Sequence, residues 1–183
     1  GYHEALSARE IEGMNVFRSF VARCAECHTP PLFTNQQVAV LGTPEPEGRP
    51  LDVGAEKTFD APKLKGAFKV PTLRNVAQTA PYMHSGRFAT LRETVAFYTG
   101  GRGHAIPPGV AMQPHWHIWD PKLSDEELDR LVDFLQALSD EDPQVRKAAV
   151  ARLGERIPML GGQRVAARDV QELSAQLAPF VRQ

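Results

Sequence analysis

Apolar residues recur at helical spacing in three stretches of this chain, and each stretch opens with the same signal. Ser7 with Glu10 in "SARE", Thr90 with Glu93 in "TLRE" and Ser124 with Glu127 in "SDEE" are capping boxes, in which a hydroxyl and a carboxylate satisfy the first free N–H groups of a helix. Ile11, Met14, Phe17 or Arg18, and Val21 follow the first box. Leu91, Val95 and Tyr98 follow the second at i, i+4 and i+7, which places them on one helix face. Leu128, Leu131, Val132, Leu135 and Leu138 form the stripe of the third and strongest helix. The first pattern predicts a helix that delivers residues 24–28 at its C-terminal end. Glycines in "TGGRG" end the second helix.

Between these helices the periodicity fades. Residues 30–71 read as loop, with "TPEPEGRP" at their centre, and 102–122 form a second loop rich in Pro, His and Trp. Loops this long are usually functional or wrap a ligand. Past Asp140 the character shifts. Asp142-Pro143 starts an amphipathic segment, "QVRKAAVARL", Gly161-Gly162 interrupts it, and Val170, Leu173, Leu177 and Phe180 carry a last helical pattern. Strand signals are few and no repeat is visible, so the expectation is a mainly α protein with much irregular backbone.

Composition narrows the function. A chain of 183 residues has room for one domain and an appendage, and a formal charge of −1 leaves no footprint for nucleic acid or an acidic membrane surface. No apolar run approaches the roughly 20 residues that span a bilayer. The chain starts on Gly1 and shows no signal peptide, so a processed chain or a fragment is expected. The two cysteines, Cys24 and Cys27, exclude both a disulfide framework and a four-cysteine zinc site.

Those cysteines sit in "CAECH", which matches C-x-x-C-H, the attachment signature of c-type haem. Two thiols add across the two vinyl groups on one haem edge, and the adjacent histidine, His28, reaches the iron as the proximal imidazole. A redox dithiol would open a helix after a strand in a βαβ unit, whereas this motif follows a helix. Thioether-bound haem c implies assembly outside the cytoplasm, in the periplasm or its equivalent. The second axial ligand sets the job of the iron. Met83, Met112, Tyr98, His84, His104, His115 and His117 are the candidates, while Met14 and Met159 lie in helical patterns and read as core. A simple electron carrier favours a loop methionine, Met83 or Met112. By residue type alone Tyr98 reads as a buried core tyrosine, and His115 and His117 in "QPHWHIWDP" read as part of an exposed, aromatic-decorated loop.

"CAECHTPPLFTN", the block "GAFKVPTLRNVAQTAPYMHSGRFATLRETVAFYTGG" and "LSDEELDRLVDFLQAL" together resemble the C-terminal haem domain of bacterial di-haem cytochrome c peroxidases and MauG-type enzymes. The resemblance covers about residues 5–139 and implies a cytochrome c-like haem domain over 1–139 with long irregular loops. Residues 140–183 are then a helical C-terminal extension. It implies Cys24 and Cys27 as thioether sites, His28 as proximal ligand and Tyr98 as distal ligand, at the place where the peroxidase branch carries Met and the MauG branch Tyr. It places Met83 near the haem without ligating it, and Lys69, Arg74 and His84 around the haem or its propionates. It also implies a calcium ion held by the backbone carbonyls of Thr79 and Pro81, completed from another domain.

The relatives handle peroxide at a second haem, in an N-terminal domain with its own C-x-x-C-H that this sequence lacks. The expectation is therefore an electron-relay domain serving a peroxidatic haem domain or chain, with a small redox protein as electron donor or acceptor and with oligomers open. The alternative is a stand-alone mono-haem carrier with Met83 or Met112 as distal ligand. A third reading is a binding module in a larger complex with 140–183 as docking helices.

Overall fold

The computed structural model describes residues 6–139 and, beyond them, the backbone of two short paired strands. In chain order the elements are α1 (Ala8–Arg18), α2 (Cys24–Cys27), β1 (Val38–Val40), α3 (Ala55–Phe59), a 3-10 turn at Pro62–Leu64, β2 (Ala67–Lys69), a 3-10 turn at Val76–Gln78, α4 (Leu91–Phe97), a 3-10 turn at Tyr98–Gly100, α5 (Asp125–Ala137), β3 (Met159–Leu160) and β4 (Gln163–Arg164). All three capping boxes form with both hydrogen bonds, so α1, α4 and α5 begin where the sequence says they should.

The architecture hangs on the crossing of α1 and α5. Gly13 faces the backbone of α5 so closely that a Cβ there would overlap the Arg130 carbonyl oxygen and lie 2.9 Å from the Phe134 Cβ. This close approach drives Met14, Phe17 and Phe134 into one core, where all three are fully buried. The Phe17 ring packs 5.3 Å from that of Phe134 and 6.1 Å from that of Phe33. Ion pairs rim the crossing: Arg9 with Asp133 at 2.8 Å and Arg130 with Glu12 at 2.7 Å. Leu91 and Val95 of α4 join the same core, and Arg92 bridges to Asp125 and Asp129 of α5. The end of α5 is tied back by Asn75 N–H to the Leu138 carbonyl and by Ala77 N–H to Ser139 Oγ.

Several sequence expectations need correction. α1 ends at Arg18, because Ser19 is extended and Arg23 is left-handed. The cysteines therefore sit on a separate short helix, and Val21 faces solvent instead of the core. Phe17, not Arg18, takes the inward place. On α5 the pattern overlooked Phe134, which is fully buried, while Val132 only flanks the core. Residues 30–71 are more than loop. β1 and β2 pair antiparallel, Val38 opposite Lys69 and Val40 opposite Ala67, and with α3 they enclose a second, smaller cluster of Val40, Ala55 and Ala67 backed by Leu64 and Met112. Strands of three residues are too short to show a period of two, and their partners lie far apart in the chain. Met159 lies in a strand, not a helix: β3 pairs antiparallel with β4, Met159 opposite Arg164 and Leu160 opposite Gln163. The helical patterns expected at 142–153 and 168–182 lie outside the described residues.

Gly13→Ala tests the crossing. The obstacle is helix backbone, which cannot swing aside, so the substitution should lower unfolding stability by about 3 kcal/mol, the upper end of overpacking penalties. Urea unfolding of the purified protein measures it. A loss below about 0.5 kcal/mol, the size of an ordinary surface change, contradicts the close contact.

Candidate functional site

Cys24 and Cys27 occupy the first and last positions of α2, one helical turn apart on a common face. His28 caps that turn, its N–H bonding the Cys24 carbonyl at 2.9 Å. The His28 side chain is held more tightly still. Its Nδ1 lies 3.1 Å from the Phe33 carbonyl oxygen and 3.1 Å from that of Pro71. Carbonyl oxygens only accept, so Nδ1 must carry the proton and Nε2 must carry the lone pair. Burial lowers the pKa of His28 against the opposing pull of these two hydrogen bonds, so the ring stays neutral. A neutral imidazole with one nitrogen bonded to backbone carbonyl and the other presenting its lone pair is prepared to bind a metal.

Each carbonyl is fixed by its own surroundings. Phe33 is left-handed, with φ of 54°, and its ring is fully buried against Phe17, so the hydrophobic core sets the position of the oxygen that orients His28. The Pro71 side is stitched on by Thr34 Oγ1 donating to the Val70 carbonyl at 2.6 Å and Thr72 Oγ1 donating to the Leu32 carbonyl.

Burial pushes the Cys24 thiol up to about 12, with the nearby Cys27 adding to the rise. Cys27 is raised by burial and by the Glu26 charge. Both thiols are neutral at pH 7, the reverse of the lowered pKa of a redox-active dithiol. The Tyr98 phenol is raised too, chiefly by burial and then by the electrostatic influence of Cys24 and Cys27. Cys24 and Tyr98 keep part of their surface open to solvent, yet dense protein surrounds their polar ends. Tyr98 caps α4 just after Phe97, and among the described residues its hydroxyl makes no hydrogen bond. Cys24, Cys27 and His28 thus share one turn, and Tyr98 lies within electrostatic range of both thiols. This donor set fits a c-type haem: two neutral thiols a turn apart, a fixed imidazole lone pair and an unbonded phenol.

The remaining candidates are placed as follows. Met112 packs into the second cluster, its methyl 2.7 Å from where a Gly66 Cβ would stand. Met83 is half-buried and left-handed, with φ of 66°, in the turn that joins Tyr82 to Phe88. Lys69 and Arg74 are exposed, as are Thr79 and Pro81. His84 stacks on Phe68 at 3.7 Å, and its Nε2 meets Glu45 at 2.7 Å. His104 Nδ1 donates to the Gly101 carbonyl at 2.8 Å. His117 is not loop decoration: it turns inward, its Nδ1 3.0 Å from the Glu26 carboxylate and its ring 4.8 Å from that of His115. Among the described residues no three His, Cys, Asp or Glu side chains gather as metal ligands. Sequence reasoning missed Glu45, Glu26, Arg23 and the carbonyls of Phe33 and Pro71. Backbone acceptors carry no residue-type signal, and Glu45 meets His84, and Glu26 meets His117, only through long-range folding.

Comparison with known proteins agrees with this chemistry. The cytochrome c family model matches residues 14–139. Cytochrome-c peroxidase IdrP1 of Pseudomonas sp. (strain SCT) is 31% identical over 170 residues, covering 78% of this chain and 43% of that protein. Methylamine utilization protein MauG of Paracoccus denitrificans is 32% identical over 117 residues, covering 54% of this chain and 30% of its own. Among solved structures, a MauG-like protein associated with microbial copper homeostasis superposes with a TM-score of 0.65 at 29% identity, over 76% of this chain and 50% of that one. The di-haem peroxidase BthA from Burkholderia thailandensis gives 0.60 at 26% identity, over 88% and 47%. The chain spans less than half the length of the first curated relatives it matches. The chain belongs to the cytochrome c family, as a haem-domain relative of the di-haem cytochrome-c peroxidases and MauG.

Proposed function

We propose that this chain is the electron-relay haem domain of a di-haem peroxidase or MauG-type oxidoreductase. The observation that carries the reading is the His28 ring, whose Nδ1 is committed to two carbonyls so that Nε2 alone is offered to a metal. Cys24 and Cys27 attach one haem c as thioethers, each S–H adding across a vinyl group with its proton passing to the neighbouring carbon. The haem supplies the chemistry of storing and passing single electrons; the chain supplies attachment, orientation and burial. His28 is the proximal ligand and Tyr98 the distal one. Binding iron requires Tyr98 to lose its proton. Burial opposes that loss, so a cation at the site must draw it out, and the resulting phenolate favours the ferric state and a low potential. Met112 serves the second cluster, which counts against the alternative carrier with that ligand.

The rest of the reading depends on partners. A peroxidatic haem resides in a partner domain or chain, because both axial places here are taken. A small redox protein exchanges electrons with this domain. A calcium ion held by the Thr79 and Pro81 carbonyls belongs to the junction with that partner. Assembly of haem c places the protein in the periplasm or another extracytoplasmic compartment; no helix among the described residues is long and apolar enough to cross a membrane.

Three measurements test this. The ferric protein should show a six-coordinate spectrum without the Met–iron charge-transfer band, and Tyr98→Phe should make it five-coordinate or change its ligand; an unchanged spectrum rejects Tyr98. With both axial places filled, this chain alone should react with hydrogen peroxide at least tenfold more slowly than a two-haem assembly, and turnover at an enzymatic rate contradicts the closed site. In the haem-free folded protein, alkylation at pH 9 should be at least about tenfold slower at Cys24 than in the urea-unfolded chain, since only the thiolate reacts. The rate should climb as pH rises toward 12. Equal rates would restore the redox-dithiol reading.

A further inference from the structure

Residues 113–120 cross from the second cluster to the haem-attachment turn. The loop is anchored at one end by His115 N–H on the Val40 carbonyl at 2.9 Å and by Arg102 on the Pro114 carbonyl at 2.6 Å. At the other end Trp119 Nε1–H donates to the Val21 carbonyl at 2.7 Å, and His117 meets Glu26, the residue before Cys27. Between these anchors lies Arg23, the residue before Cys24. Its guanidinium stands 4.0 Å from the Trp119 ring centroid and 5.7 Å from that of Trp116, and Nε donates to the Phe20 carbonyl at 3.1 Å.

This arrangement solves a local problem. Arg23 is left-handed, with φ of 56°, a conformation unfavourable for a residue with a Cβ. No side-chain cap supports α2, which has only four residues. A strained residue at the mouth of a short helix persists only where its surroundings hold it. Trp119 does so twice, through its N–H and its face. It also stays 39% exposed and Trp116 59%, a cost in apolar surface that the loop bears in order to cover the arginine. The Arg23 side chain is only 15% exposed, and Glu26 lies 3.6 Å away.

We propose that Trp119 is a positioning residue for the haem-attachment turn: by clamping Arg23 with its ring and Val21 with its N–H, it fixes a positive charge at the edge where the thioethers form and so raises the midpoint potential of the attached haem. The proposal rests on the haem c reading above. A cation held beside the ring disfavours the more positive ferric state, whereas the same cation swinging in water is screened.

Spectroelectrochemical titration of the holoprotein tests it. Arg23→Gln should lower the midpoint potential, and Trp119→Leu should reproduce more than half of that shift. Trp119→Phe, which keeps an aromatic face, should recover most of it. A wild-type potential in Trp119→Leu while Arg23→Gln is lowered, or no shift in Arg23→Gln, overturns the proposal. If Trp119→Leu takes up no haem, Arg23→Lys decides: it keeps the charge but not the flat face, so a lowered potential supports the clamp and a wild-type potential overturns it. A wild-type chain that holds no covalent haem after denaturation fails the underlying reading, and this one with it.

Discussion

The close crossing of α1 over α5 at Gly13 is the contact on which the rest depends. With no Cβ in the way, the two helices meet backbone to backbone, and Met14, Phe17 and Phe134 are packed without exposure. Phe33 adds its ring to that core from the segment after the cysteines. A residue so anchored cannot shift its own carbonyl, and that carbonyl is one of the two that orient His28. Helix packing therefore reaches the chemistry through a single residue: Gly13 permits the core, the core holds the Phe33 ring, and Phe33 sets the direction of the imidazole.

Desolvation gives the site its electrical character. The two thiols, the imidazole and the phenol are each shifted toward the neutral form, and burial is the first cause in all four. Such a place is poor for a thiolate nucleophile and good for neutral thiols, a lone-pair donor and a phenol that ionises only against a cation. The charged groups sit just outside, on the turn itself. Arg23 and Glu26 flank Cys24 and Cys27 and are in turn faced by Trp119 and His117. The interior groups stay neutral, and the charges of Arg23 and Glu26 sit paired at the edge.

The long irregular segments are held by a few specific links. β1 and β2, each of three residues, close the chain between Pro30 and Pro71 into a second cluster. Thr34 and Thr72 then sew the segment after the cysteines to the segment around Pro71. His84, wedged between Phe68 and Glu45, fastens the "TPEPEGRP" stretch to the "PYMHSG" turn. The side-chain hydrogen bonds of Thr34, Thr72 and His84 each join residues more than 30 positions apart in the chain.

The sequence by itself determined whatever depends on neighbours along the chain. Capping boxes located the starts of three helices because the cap and its partner are three residues apart. Helical spacing identified Met14, Leu91, Val95 and Leu128 as inward-facing. "CAECH" placed the cysteines and histidine of the candidate site in register, and the downstream block set them in the right family. Tertiary structure alone decided what depends on distant groups. It made Phe134 and Phe33 core residues, gave Met112 to packing and turned His117 inward. It also chose the carbonyls that fix the His28 tautomer. A backbone oxygen is the same at every position, so only the folded chain can determine which one an imidazole finds.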